Sequence, residues 1–173
     1  MARNRPRLTL IEAALLLSLF GVVMAVFVPS FLRRVRTNKI DEASELLAEL
    51  SRRTGAYYVA HGEDCLPPSA GPTPEVPTME PSEVDFSAPE TPGHETWQAL
   101  GFEAEHPVRF SYEYSASRSG CGLAGSEAPV SIVFRARGDL DGDGVLSTFE
   151  RRATLDAGRF RPADALRVER RTE

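Results

Sequence analysis

LTLIEAALLLSLFGVVMAVFV, residues 8 to 28, is a run of 21 residues interrupted only by Thr9, Glu12, Ser18 and Gly21. As a helix rising about 1.5 Å per residue, it crosses the roughly 30 Å hydrocarbon core of a bilayer once. The stretch before it, MARNRPR at 1–7, carries Arg3, Arg5 and Arg7 and no acid. The positive-inside tendency therefore places that end in the cytoplasm and sends the remainder across the membrane. Within the span Glu12 is the anomaly. A carboxylate in an apolar segment costs a few kcal/mol on insertion scales (about 2.5–3.5 at the helix centre), so it is read first as a functional group with a partner, and second as an interfacial Glu that is solvated or protonated.

Pro29 ends the apolar run without ending the helical pattern. Ile40, Ala43, Leu47, Leu50, Thr54 and Tyr57 recur at alternating spacings of three and four, while Lys39, Asp41, Glu42, Glu45, Glu49, Arg52 and Arg53 occupy the other faces. That is an amphipathic helix in need of a packing partner. The pattern predicts one helix from about Leu10 to about Ala60, with a kink or local unwinding near Pro29.

Leu8-Thr9-Leu10-Ile11-Glu12, then Gly21, Pro29 and the amphipathic stretch, resembles the N-terminal segment of type IV pilins and of the related type II secretion pseudopilins. In that alignment Leu8 is the first mature residue, Glu12 the fifth, Gly21 the fourteenth and Pro29 the twenty-second. The resemblance covers about the first 55 residues. It implies a basic leader at 1–7, removed between Arg7 and Leu8 by a prepilin peptidase that also methylates the new N-terminus. It implies a single pass in the bacterial cytoplasmic membrane with the C-terminal domain outside, then assembly with copies of itself and other pilin subunits into a filament whose long helices bundle at the centre. Glu12 would then pair with the free amine at Leu8 of a neighbour, offsetting its desolvation and setting register. Arg7 departs from the pattern, since the family carries Gly or Ala there. A second cut is also present in the sequence: Val23-Met24-Ala25 resembles a general signal-peptidase site and would release a soluble chain starting at Val26.

The whole chain has 173 residues, 42% hydrophobic and 26% charged, which leaves room for one modest core and excludes a large multidomain enzyme. Its net charge of −5 conceals two unlike parts: residues 1–39 carry seven basic groups against Glu12 alone, a net +6, so residues 40–173 carry −11. An acidic exported part gives no reason to expect nucleic-acid binding. In that oxidising setting Cys65 and Cys121 are expected to form a disulfide, worth roughly 4 kcal/mol in the chain-entropy model, that ties the end of the long helix to the later domain; the alternative is two buried free thiols.

Residues 65–92 hold eight of the 13 prolines and read as a long extended loop. Trp97, Leu100 and Phe102 are core contacts of a short helical turn closed by Gly101. Val108–Tyr114 and Val130–Ala136 alternate as strands, with a Gly/Ser-rich loop between them, and a third strand is expected near Ala153–Phe160. The expected fold is α+β: a long N-terminal helix, membrane half plus amphipathic half, packed on a small antiparallel sheet. Its parts are a leader at 1–7, an assembly helix at 8–28, an amphipathic helix at 29–60 and a globular domain at 61–173.

Residues 139–150, DLDGDGVLSTFE, fit the twelve-residue calcium-loop pattern. Asp139, Asp141 and Asp143 would supply carboxylate oxygens and Gly144 the tight turn, with Val145 giving a backbone carbonyl. Ser147 would contribute directly or through water, and Glu150 would close the site with two oxygens. Such hard donors suit calcium and not zinc. The alternative is a turn between strands, which Asp and Gly favour without any metal. The strand-like residues before the loop make a calcium ion there a structural staple, not a sensor. His61, His94 and His106 form no ligand or triad pattern, and there is no phosphate loop or nucleophile elbow, so an enzyme is not expected. The leading expectation is a structural filament subunit. Its rivals are a pseudopilin of a type II secretion system and a calcium-dependent adhesin or binding domain, anchored or secreted, that does not polymerise.

Overall fold

A computed structural model describes residues 9–61, 65–125, 128–140 and 142–169, with side chains at 30–39 excepted. Arg7, Leu8 and Asp141 lie outside these residues. The chain divides into two compact units, Met1–Asn38 and Lys39–Glu173.

In the first unit, helix α1 (Leu10–Ala60) begins. Its stretch Leu10–Pro29 has a mean hydropathy of 2.5, carries Glu12 as its only charge and is entirely unburied, long and apolar enough to cross a membrane. The helix starts at a capping box. Thr9 Oγ1 accepts the Glu12 N–H at 3.3 Å, and the Glu12 carboxylate reaches back to accept the Thr9 N–H at 2.8 Å and its hydroxyl at 2.9 Å. Ser18 donates its hydroxyl to the Ala14 carbonyl at 2.9 Å, which satisfies the polar group within the helix itself. The residues remain α-helical through Pro29, so the local unwinding expected there is not seen. Proline removes one backbone donor, a cost of about 3 kcal/mol that a helix of 51 residues absorbs without ending.

In the second unit, α1 buries Ala43, Leu47, Leu50, Thr54 and Tyr58. The stripe ends on Tyr58 where the periodicity names Tyr57. Tyr57 instead lies half-buried, its ring stacked on His61 with centroids 4.0 Å apart. The strands are β1 (Ala70–Thr73), β2 (Ser111–Ala116), β3 (Val130–Gly138), β4 (Ser147–Asp156), β5 (Arg159–Pro162) and β6 (Arg167–Glu169). They form one antiparallel sheet in the order β1-β2-β3-β4-β5, with β6 lying beside β5 along the same side of β4. Alternation sends Val130, Ile132, Phe134 and Ala136 of β3 inward, against the buried face of α1.

The third predicted strand proves to be a hairpin. The chain turns at Ala157 and Gly158, both at positive φ (48° and 71°), so Leu155 of β4 faces Phe160 of β5. The predicted strand at 108–114 begins later, at Ser111, because Val108 is engaged in an isolated bridge with Ser82. A second helix, α2 (His94–Leu100), stops at Gly101, whose left-handed conformation (φ 61°) lets its N–H bond back to the Gln98 carbonyl. Trp97 and Phe102 join Phe86 and Tyr112 in an aromatic cluster, and the Trp97 indole N–H donates to Thr73 Oγ1 at 3.1 Å.

The Pro-rich stretch is better anchored than a free loop. β1 lies inside it, the bridges Leu66 to Gly120 and Ser82 to Val108 hold it, and the Cys65–Cys121 disulfide fastens one end.

Candidate functional sites: an unburied apolar helix and an acidic hairpin loop

The capping box gives Glu12 a local partner. Its carboxylate accepts both donors of Thr9, which lessens the penalty of a charge at the start of an apolar helix. The Thr-x-x-Glu spacing carries this in the sequence, and reading Glu12 only as an intramembrane charge misses it. The other half of the assembly pairing, Leu8, and the cleavage position Arg7 are outside the described residues.

The acidic loop connects β3 to β4, closed by the pairing of Gly138 with Ser147. Asp139 organises it: Oδ1 accepts the Gly142 N–H at 2.6 Å and Oδ2 accepts the Gly144 N–H at 2.9 Å. Asp143 Oδ1 accepts the Val145 N–H at 2.7 Å. Gly142 and Gly144 sit at φ 87° and 84°, a backbone region that a side chain at either position would strain. The loop thus brings Asp139, Asp143 and the Val145 backbone together.

Ser147 and Glu150 are placed differently. Both belong to β4, where side chains alternate between faces: Ser147 is buried at 5% exposure, and Glu150 points to the opposite face. Three residues of strand, about 10 Å, separate them. Glu150 Oε2 accepts Arg135 Nε at 2.9 Å, and Oε1 accepts Arg152 Nε at 2.6 Å. Burial works against its ionisation, but the hydrogen bonds and charges of Arg135 and Arg152 outweigh it and hold the carboxyl below the usual range. Among the described residues no three His, Cys, Asp or Glu side chains are grouped to hold a metal. The donor types at 139–145 suit a hard cation, while Glu150 stands committed to two guanidinium groups.

Glu150 belongs to a charged ladder that the loop motif conceals. Glu113 on β2, Arg135 on β3 and Glu150 on β4 face one another across adjacent strands, and Arg137 adds a bond to Glu113 at 2.8 Å. Opposite charges in register across a sheet are favourable neighbours. Alternation places Glu113, Arg135 and Arg137 on the outer face, but only the strand register reveals that they meet.

A third cluster fastens α1 to the sheet. Glu42 accepts the Arg109 backbone N–H at 2.8 Å and its guanidinium at 3.2 Å, and the Tyr112 hydroxyl donates to it at 3.4 Å. Burial first, and then the Glu42 charge, push the Tyr112 phenol far above its ordinary range, so it serves as a neutral donor.

No family model matches the chain, and neither does any curated protein or solved structure.

Proposed function

We propose that this chain is a membrane-anchored structural subunit of a pilin-like filament, processed before Leu8 and assembled through its N-terminal helix. The observation that carries the reading is the stretch Leu10–Pro29, apolar apart from Glu12 and Ser18 and wholly unburied, followed by a sheet domain with its own core. An apolar surface of that extent requires lipid before assembly and other apolar helices after it. In this reading the lipid phase holds the precursor, a prepilin peptidase supplies the free amine at Leu8, and the carboxylate of Glu12 pairs with the amine of a neighbouring subunit. The partners are copies of this chain or related subunits, within a pilus or a type II secretion apparatus.

Calcium belongs to the proposal as a staple of the hairpin loop, held by Asp139, Asp141 and Asp143 with the Val145 carbonyl. A bound ion would neutralise like charges crowded within five residues. Ser147 and Glu150 complete the twelve-residue pattern in sequence; recruiting Glu150 would take it from Arg135 and Arg152.

Mass spectrometry of the N-terminal peptide of the native protein, from cells with an active prepilin peptidase, tests the central step. A methylated N-terminus at Leu8 is expected. A chain that retains residue 1 or 2 overturns the assembly route, and one that begins at Val26 points to a released domain. The Thr9–Glu12 box favours one rival, an anchored binding domain that does not polymerise, because it gives Glu12 a partner within its own chain.

A further inference from the structure

Residues 13–40 hold no acid, and their bases are all gathered at Arg33, Arg34, Arg36 and Lys39. Asp41, Glu42, Glu45 and Glu49 then follow before the next cation, Arg52. The sign of the charge therefore reverses between Lys39 and Asp41, and helix α1 runs unbroken through the reversal. The three arginines belong to the same compact unit as the apolar stretch Leu10–Pro29.

Their spacing leaves them without a counterion on the helix. No acid stands three or four residues from Arg33, Arg34 or Arg36, the separation at which a helix forms ion pairs. Arg33 and Arg36 are themselves three apart, as are Arg36 and Lys39, a spacing at which like charges on a helix repel. An anion from outside the helix would remove that repulsion.

Height along the helix selects which anion. At about 1.5 Å per residue, Arg33 and Arg34 lie about 6–8 Å beyond Pro29 and Arg36 about 10 Å. The headgroup layer on each side of a bilayer reaches about 5–8 Å beyond the hydrocarbon core, so a span ending at Pro29 sets these positions at the level of the lipid phosphates. Asp41 comes about 18 Å beyond Pro29, which separates the first acid from that layer by more than the Debye length of about 8 Å at physiological salt. Cations at phosphate height and acids withdrawn from it are the charge order that an anionic lipid surface favours.

We infer that Arg33, Arg34 and Arg36 form a binding site for anionic phospholipid headgroups, in the leaflet from which the helix emerges after Pro29. The site rests on the reading of Leu10–Pro29 as a membrane span and is independent of filament assembly.

The test reconstitutes the full chain in phosphatidylcholine bilayers containing one quarter phosphatidylglycerol and measures, with spin-labelled lipid of each headgroup, the fraction immobilised against the protein. A preference of at least about threefold for phosphatidylglycerol is expected, halved or more in high salt. Arg33→Gln, Arg34→Gln and Arg36→Gln together should abolish it while immobilised phosphatidylcholine persists, which shows the variant still inserted. Arg3→Gln, Arg5→Gln and Arg7→Gln together should keep most of it, and millimolar inorganic phosphate should not compete. Equal immobilisation of both lipids overturns the site alone; immobilisation of neither overturns the span and the site with it. A preference carried by residues 3–7, one erased by free phosphate, or cations that instead crosslink to the acidic stretch 54–108 of a second copy also overturn the proposal.

Discussion

The carboxylate of Glu42 on helix α1 accepts the backbone N–H of Arg109 at 2.8 Å, joining positions 67 residues apart. The same carboxylate receives the Arg109 guanidinium and the Tyr112 hydroxyl, with its own side chain only 15% exposed. Glu42→Ala strands a backbone donor and a phenol near the helix–sheet junction, and should lower stability by about 1–3 kcal/mol. Glu42→Gln keeps one acceptor for the Arg109 N–H and should lose less. Urea unfolding of the two variants in detergent, followed by circular dichroism, measures the difference. Equal midpoints for wild type and Glu42→Ala would refute the clamp.

Acid should weaken the sheet unit through carboxylates already held in ion pairs. The hydrogen bond from Arg52, with help from Arg53 and against the cost of burial, holds the Glu49 carboxyl well below the usual carboxylate range, at about 2. Glu150 is lowered as well. A depressed folded-state value means the contribution is complete above about pH 4.5 and is lost as the pH falls toward 2. The Glu49 pairs lie largely in solvent, so their part is expected to stay below about 1 kcal/mol. Thermal melts between pH 7 and pH 2.5 should therefore be level down to about pH 5 and then decline. The double variant Glu49→Gln, Glu150→Gln should show a shallower decline, and an unchanged slope would contradict these assignments.

Thr9 and Glu12 can be separated by paired substitutions. If Glu12 acts in assembly, Glu12→Ala should leave a membrane pool and deplete sheared filaments, whereas Thr9→Val, which only breaks the capping box, should cost the helix about 1 kcal/mol and preserve filaments. Loss of filaments in both variants would assign Glu12 to the cap. Quantitative immunoblots of membrane and sheared fractions decide between the two.

At an affinity of about 0.1–1 mM, 10 mM calcium should add about 1.4–2.7 kcal/mol, visible as a rise of a few degrees in Tm. Asp143→Ala should remove that increment. Glu150→Gln distinguishes the twelve-residue donor set from a smaller one: if Glu150 remains in the arginine ladder, its substitution leaves the calcium increment intact. A Tm indifferent to calcium in the unaltered protein would exclude the staple.

Much of the architecture can be read from one-dimensional patterns, and the reason differs by element. Hydropathy suffices for Leu10–Pro29, since a long run of apolar side chains has few fates. Alternation locates β3, where four inward residues share one buried face. It does not separate β4 from β5, because the turn at Ala157–Gly158 lacks the Asn-Gly or Asp-Gly pair that marks a tight hairpin. The sites depend on register. The spacing of Asp139, Asp143 and Glu150 matches a calcium loop, yet the pairing of Glu150 with Arg135 is a property of how β3 lies against β4, which no local spacing contains. Likewise the meeting of Glu42 with Arg109 requires the helix already docked.

The disulfide between Cys65 and Cys121 encloses the whole Pro-rich stretch, together with α2 and β2, in a covalent ring. A protease that cuts the backbone anywhere between these cysteines opens the ring without separating the chain. The N-terminal helix and the remaining strands would stay attached to each other, and the nicked molecule would come apart only on reduction. The segment richest in accessible, proline-interrupted backbone is thus the one where a single cleavage cannot part the later strands from the long helix.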